Sequence, residues 1–174
     1  IFWAIIIAQF GIVLTLSARV ARLQAGTAQA LFIAYSALTG VTLSSVLLIY
    51  TRESVASTFV VSSGMFGALA MYGTVTRRNL SGVGQFMFMG LIGLVLASLA
   101  GMFWHNDGLQ FMISFVGVIV FAGLTVYDAQ RLKAMALADG GSASAVTVLG
   151  ALVLYLDFIN LFLFLLRFLG GRRK

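Results

Sequence analysis

Apolar residues run through this chain in six long blocks, at residues 1–21, 28–50, 54–76, 84–104, 109–132 and 144–169. Between them stand Arg19 to Gly26, Arg52 with Glu53, Arg77 to Gly82, His105 to Gly108, and Lys133 to Ser144. A bilayer's hydrocarbon core is crossed by about 20 apolar residues of helix, and every block is long enough. Lipid offers an unpaired backbone amide no partner, and no two-residue alternation is present, so the blocks read as helices rather than barrel strands. The interruptions are short, which predicts tight hairpins between neighbours. The expected fold is an all-α polytopic membrane protein, a single transmembrane helical domain over residues 1–174 with six spanning helices and no separate aqueous domain. The chain opens on Ile1 inside an apolar block, without an initiator Met, a basic leader or a cleavage site, so a missing beginning is expected rather than a signal peptide.

Composition narrows the picture. With 61% hydrophobic and 9% charged residues, the chain is neither disordered nor an ordinary soluble domain. The absence of cysteine removes disulfides, thiolate metal sites and cysteine nucleophiles. The net charge of +6 is spread as singles and pairs between apolar blocks, which suits lipid headgroups and topology rather than nucleic acid. If all blocks cross, one side carries Arg19, Arg22, Arg77, Arg78, Arg131 and Lys133, and the loops make that side cytoplasmic. The other side carries Arg52, then Arg167, Arg172, Arg173 and Lys174, a tail that pulls the other way unless one block is re-entrant.

Nineteen glycines suit a bundle in which close backbone approach replaces the hydrophobic effect. Gly93, Ala97 and Gly101 lie on one helical face, Gly40 pairs with Ser44, and Gly64 with Gly67 lines the third block. Without proline, a helix break has to come from glycine or serine, which points to Ser44, Ser45, Ser62 and Ser63.

Charge inside hydrocarbon costs about 2.5–3.5 kcal/mol on the gentler insertion scale, so an intramembrane acid asks for a reason. Asp128 and Asp157 are the two such acids; Glu53, Asp107 and Asp139 fall in the interruptions. Asp157 shares a helical face with Asn160 and Gly150, a small, polar stripe that turns toward protein. Asp128 shares its face with Ser114, Gly117, Phe121 and Thr125; the plainer reading there is a boundary pair with Arg131, one turn on. The two helices are consecutive. Carboxyl groups that meet away from water cannot both ionise cheaply, so the pair would share a proton and titrate as a unit. Losing that proton would turn attraction into repulsion and open a path between the helices; regaining it would close the path. The depths of the two acids in their blocks differ, and tilt or a break is expected to absorb one or two turns, each about 5.4 Å.

At these residues the chain resembles the Bax inhibitor-1 family, the transmembrane Bax inhibitor motif proteins, in its bacterial branch. The resemblance rests on Leu154 to Phe162 (LYLDFINLF), on Tyr127, Asp128, Ala129 and Gln130, and on Ser36 to Ser45 (SALTGVTLSS), and it extends over nearly the whole chain. It implies a seven-helix bundle with the last helix at its centre, so the family's first helix is expected ahead of Ile1. It implies a multi-pass protein of the bacterial inner membrane and a pH-sensitive calcium leak gated by Asp128 and Asp157. Those aspartates would also hold the ion in passing, with Asn160, Arg131 and Arg22 in support. Six to eight oxygen ligands make a tight calcium site, so two aspartates with Asn160 offer only a transient stop, and calcium enters as the transported ion with no cofactor required. Related leaks carry an acid in the helix matching the first block, facing a basic residue; here Gln9 or Gly11 falls near that place and Arg22 matches the basic partner. Family members are also described as restraining cell death or, in bacteria, as interacting with a membrane-bound quality-control protease.

Two rival readings use the same residues. A proton-coupled transporter of a small solute would employ the acids as a relay, and no inverted repeat supports it. A modulator or partner of a membrane protease would use them only to hold the bundle together. Enzyme chemistry finds little: His105 reads as a solvated loop residue beside Asn106 and Asp107, and neither HExxH nor CxxC occurs.

Overall fold

A computed structural model describes residues 2–19, 22–104, 106–138 and 145–171. The regular elements are six helices: α1 (Phe2–Arg19), α2 (Ala25–Leu47), α3 (Arg52–Val75), α4 (Ser81–Phe103), α5 (Asp107–Ala138) and α6 (Ala145–Leu169). Five of them, α2 to α6, are long and apolar enough to cross a membrane, and α1 is an apolar helix of 18 residues. Polar residues in the interruptions set the helix starts. The Thr51 hydroxyl accepts the Ser54 N–H at 3.3 Å ahead of α3, and the Asn106 carboxamide accepts the Gly108 N–H at 2.8 Å ahead of α5. Glu53 and Asp107 occupy the first turns that follow, where an acid complements the helix dipole.

The longest helix is α5, with 32 residues, six more at its end than the apolar block ending at 132. Charge at Lys133 does not stop a helix, and no glycine or proline intervenes before Gly140. The expected interruption from Lys133 is therefore helical as far as Ala138. Ser44 and Ser62 do not break their helices. Each hydroxyl donates to a carbonyl one turn back, Val41 at 2.7 Å and Phe59 at 3.1 Å, and α2 and α3 run on through both.

The bundle is built around α5 and α6. In their most apolar stretches 39% of residues are buried, against 6–11% in α2, α3 and α4. Leu161 and Leu165 of α6 join Val120, Phe121 and Leu124 of α5 and Leu94 of α4 in one core cluster. Leu152 and Val148 join Leu16, Ala28 and Tyr35 from α1 and α2 in a second, and Phe162 with Leu166 holds Tyr50 in a third. Every core cluster thus includes α6. Large apolar side chains left outside, such as Phe86, Met89 and Phe103 of α4, are the lipid-facing surface.

Close approach happens at other glycines than the spacing of small residues suggests. An added Cβ at Gly40, Gly64, Gly67 or Gly93 would meet nothing within 4 Å. At Gly73 it would lie 2.2 Å from the Val126 carbonyl oxygen, and at Gly117 and Gly84 it would lie 2.5 Å from the rings of Phe164 and Tyr127. Periodicity names a face but not the helix it meets. Gly101, on the predicted α4 face, does pack closely, since a Cβ there would lie 3.0 Å from Gln110 Nε2.

Both ends of the bundle are fastened. At one end the Gln130 side chain accepts the Leu80 N–H at 3.2 Å and donates to the Arg78 carbonyl at 2.9 Å, and Lys133 Nζ donates to the Thr74 carbonyl at 2.8 Å. At the other, the Thr51 N–H donates to the Gly171 carbonyl at 3.1 Å and the Gly171 N–H to Ser54 Oγ at 2.8 Å. The end of α6 therefore lies beside the α2–α3 turn, as it must if α6 crosses in full. The loop residues Arg22, Arg77 and Arg78 share the first end with Arg131 and Lys133.

Candidate functional site

Asp128 lies ten residues before α5 ends and Asp157 twelve residues after α6 begins. In an antiparallel pair that offset is only about 3 Å. The expected mismatch of one or two turns follows from ending the helix at residue 132, and the true end of α5 removes it. Asp157 is 4% exposed and Asp128 is half-buried. The faces that carry them are inward, with Ser114, Gly117, Phe121 and Thr125 buried on α5 and Gly150 on α6.

The two carboxyl groups are hydrogen-bonded to each other. Ionised carboxylates only accept, so a hydrogen bond between two carboxyl groups exists only while one of them holds a proton. Asp157 Oδ2 is buried and accepts no hydrogen bond from an N–H or hydroxyl of the described residues. A buried acceptor without a donor is unusual enough to mark a strained or functional position. Arg131 lies near enough to act on Asp128 through its charge, and the two line the same two cavities.

Both acids line a cavity of about 630 Å³ between α4, α5 and α6. Ser81, Gln85 and Arg131 line it toward the basic end, and Asn160 lines it beyond the acids. The Asn160 carboxamide donates to the Leu156 carbonyl at 2.8 Å, which fixes its orientation on α6. A smaller cavity of about 60 Å³ reaches Asp128 and Arg131 from the side of Met135 and Leu149. The structure therefore brings together Asp128, Asp157, Asn160 and Arg131. Arg22 is exposed in the turn before α2 and lines neither of these two cavities. His105, Asp139 and the tail from Arg172 to Lys174 lie outside the described residues.

Gln9 fills its own place. Its Nε2 donates to the hydroxyls of Thr39 at 3.2 Å and Thr42 at 3.4 Å, so its donor end is held by α2. Sequence reasoning missed Gln130 and Tyr127 as anything beyond motif letters. They flank Asp128, one gripping the α3–α4 loop and the other lying on Gly84 of α4, and a carboxamide beside an intramembrane acid was the available signal.

Over its whole length, residues 1–174, the chain matches the family model described as inhibitor of apoptosis-promoting Bax1. The chain belongs to the Bax inhibitor-1 family. It is 53% identical over 173 residues to the inner membrane protein YbhL of Escherichia coli, a match covering 97% of this chain and 74% of that protein. An uncharacterized protein of Borreliella burgdorferi is 47% identical over 176 residues, covering 99% of this chain and 76% of its own. The uncharacterized protein RP147 of Rickettsia prowazekii is 45% identical over 171 residues, covering 97% and 72%. With its spanning helices, this Bax inhibitor-1 family member is a multi-pass protein of the inner membrane.

Proposed function

We propose that this protein is a pH-sensitive cation leak, with calcium as the transported ion, gated by the proton that Asp128 and Asp157 share. The observation that carries the reading is the carboxyl–carboxyl hydrogen bond across the α5–α6 interface, at a cavity lined toward the basic end by Ser81 and Gln85. While the proton is held, the contact ties the two central helices together. Once it leaves, two like charges face each other in a site of low dielectric, and the helices part.

The same deprotonation that separates α5 from α6 makes two acceptors available to a cation. Asp157 Oδ2, which accepts from no N–H or hydroxyl of the described residues, is the first contact this reading assigns. Two aspartates and the oxygen of Asn160 fall short of the six to eight oxygens of a holding site. No cluster of three or more His, Cys, Asp or Glu suited to a metal occurs among the described residues. Such a site passes calcium on and does not store it.

The test is calcium flux through the full chain reconstituted in liposomes, across a pH series, beside Asp157→Asn. Wild-type flux is expected to rise with pH and the variant's to stay flat. Identical profiles would remove the proton gate. A wild-type protein without flux at any pH, whose complex with a membrane protease survives Asp157→Asn, would turn the reading to the binding alternative.

A further inference from the structure

Where the aspartate cavity ends, a second groove of about 470 Å³ begins, with Leu91, Phe121 and Asn160 common to both. It runs along α4, α5 and α6 toward the end of the bundle opposite the basic loops. Its chemistry is unlike that of its neighbour: no acid lines it, its walls include Leu94, Val95, Leu99 and Phe164, and Ser98, Gln110 and Arg167 supply its polar groups. The α4 wall faces outward, with Val95 52% and Leu99 51% exposed, so the groove is open to the acyl chains of the bilayer.

Arg167 is held there. It stands in the last turn of α6 with its guanidinium 5.8 Å from the centre of the Phe164 ring. That ring cannot retreat into the bundle, because it already lies so close to Gly117 that a Cβ there would be 2.5 Å from it. A guanidinium at the end of a spanning helix seeks the headgroup layer, and it matches a phosphodiester in charge and shape. Arg172, Arg173 and Lys174 follow within seven residues in the sequence and add positive charge to the same end of the chain.

We propose that this groove binds one anionic phospholipid, with an acyl chain along the α4 wall and the phosphodiester on Arg167, Gln110 and Ser98. The apolar channel accepts any chain; the single guanidinium, with no acid beside it, selects the negative headgroup. One basic residue near a membrane surface favours an anionic lipid by about fivefold.

Trp104 reports on the site, since it follows directly on α4 and lies two residues beyond Met102, which lines the groove. In a Trp3→Phe background it is the remaining tryptophan. The full chain is reconstituted in phosphatidylcholine vesicles, and its fluorescence is quenched with brominated phosphatidylglycerol or brominated phosphatidylcholine. Phosphatidylglycerol is expected to quench with about fivefold higher apparent affinity. Arg167→Gln should bring that ratio close to one and Arg167→Lys should keep most of it. Arg52→Gln, which removes the same charge from another groove at that end, should leave it unchanged. Equal quenching by the two lipids, or a preference that survives Arg167→Gln, overturns the site. A preference abolished by millimolar inorganic phosphate at constant ionic strength overturns the lipid assignment in favour of a soluble anion.

Discussion

Gln130 stands in for backbone at the turn that begins α4, with Oε1 accepting the Leu80 N–H at 3.2 Å and Nε2 donating to the Arg78 carbonyl at 2.9 Å. Gln130→Ala leaves both backbone groups short of a partner. Each such loss costs about 1–3 kcal/mol when buried and less where water reaches. The expected result is a fall in thermal stability in detergent that Gln130→Glu only partly restores, since a carboxylate can accept from Leu80 but cannot donate to Arg78. Equal stability of Gln130→Ala and wild type would show the contact to be idle.

The glycines divide into two classes that a simple comparison separates. Gly73→Ala drives a methyl group to 2.2 Å from the Val126 carbonyl oxygen, which belongs to the backbone of the central helix and cannot swing aside. Overpacking of this kind costs about 1–3 kcal/mol. Gly93→Ala meets nothing within 4 Å and gains helix propensity, so its melting temperature should match or exceed that of wild type. Denaturation of the two variants side by side checks the packing, and the reverse order would contradict it.

The hydrogen bond between Asp128 and Asp157 lasts only while a proton is held between the two oxygens. Raising the pH until that proton leaves sets two negative charges against each other, so the wild-type melting temperature should drop over that range. In Asp157→Asn the carboxamide keeps a donor facing Asp128 at every pH, and the same curve should be flat. Parallel curves for the two proteins would mean that the pair does not titrate in the folded state.

Gln9 gives a prediction of the opposite kind. It donates to two hydroxyls, and those hydroxyls spend their own protons on the Tyr35 and Leu38 carbonyls at 2.9 and 3.1 Å. Gln9→Glu replaces a donor by an acceptor where neither threonine has a proton to spare. Stability should fall by about 1–2 kcal/mol, more at alkaline than at acid pH, because the introduced carboxyl group can still donate once while it is protonated. A variant as stable as wild type at alkaline pH would show that the threonine hydroxyls turn to meet it.

Much of the architecture is legible because lipid leaves so few choices. An apolar block of that length has to be a helix, and each of the six carries one among the described residues. The pairing of Asp128 with Asp157 follows from two intramembrane acids on consecutive helices. Rotation and extent are harder to read. The spacing of Gly93, Ala97 and Gly101 marks a face of α4, yet the contacts to α5 run through Gly84, Gly90 and Gly101, since rotation about the axis depends on the partner's side chains. An apolar block stops at its first charge, whereas a helix stops where the backbone loses its partners, so α5 outruns its block. Arg22 matches a position in a motif, and the cavity that holds the acids is lined without it.

The fastening of Gly171 to Thr51 and Ser54 bears on how the central helices can move. One end of α6 is pinned to the turn between α2 and α3, with Tyr50 seated against Gly170 as a stop. If the proposed gate operates, a push at Asp157, twelve residues before the end of the helix, acts as on a lever with its fulcrum at that anchor, and the greatest travel falls at the start of α6, among Ala145, Val148 and Leu149. On the proposed gate, displacement there would part α6 from α5 and leave the pinned rim almost still, so the protein would swing from one mouth.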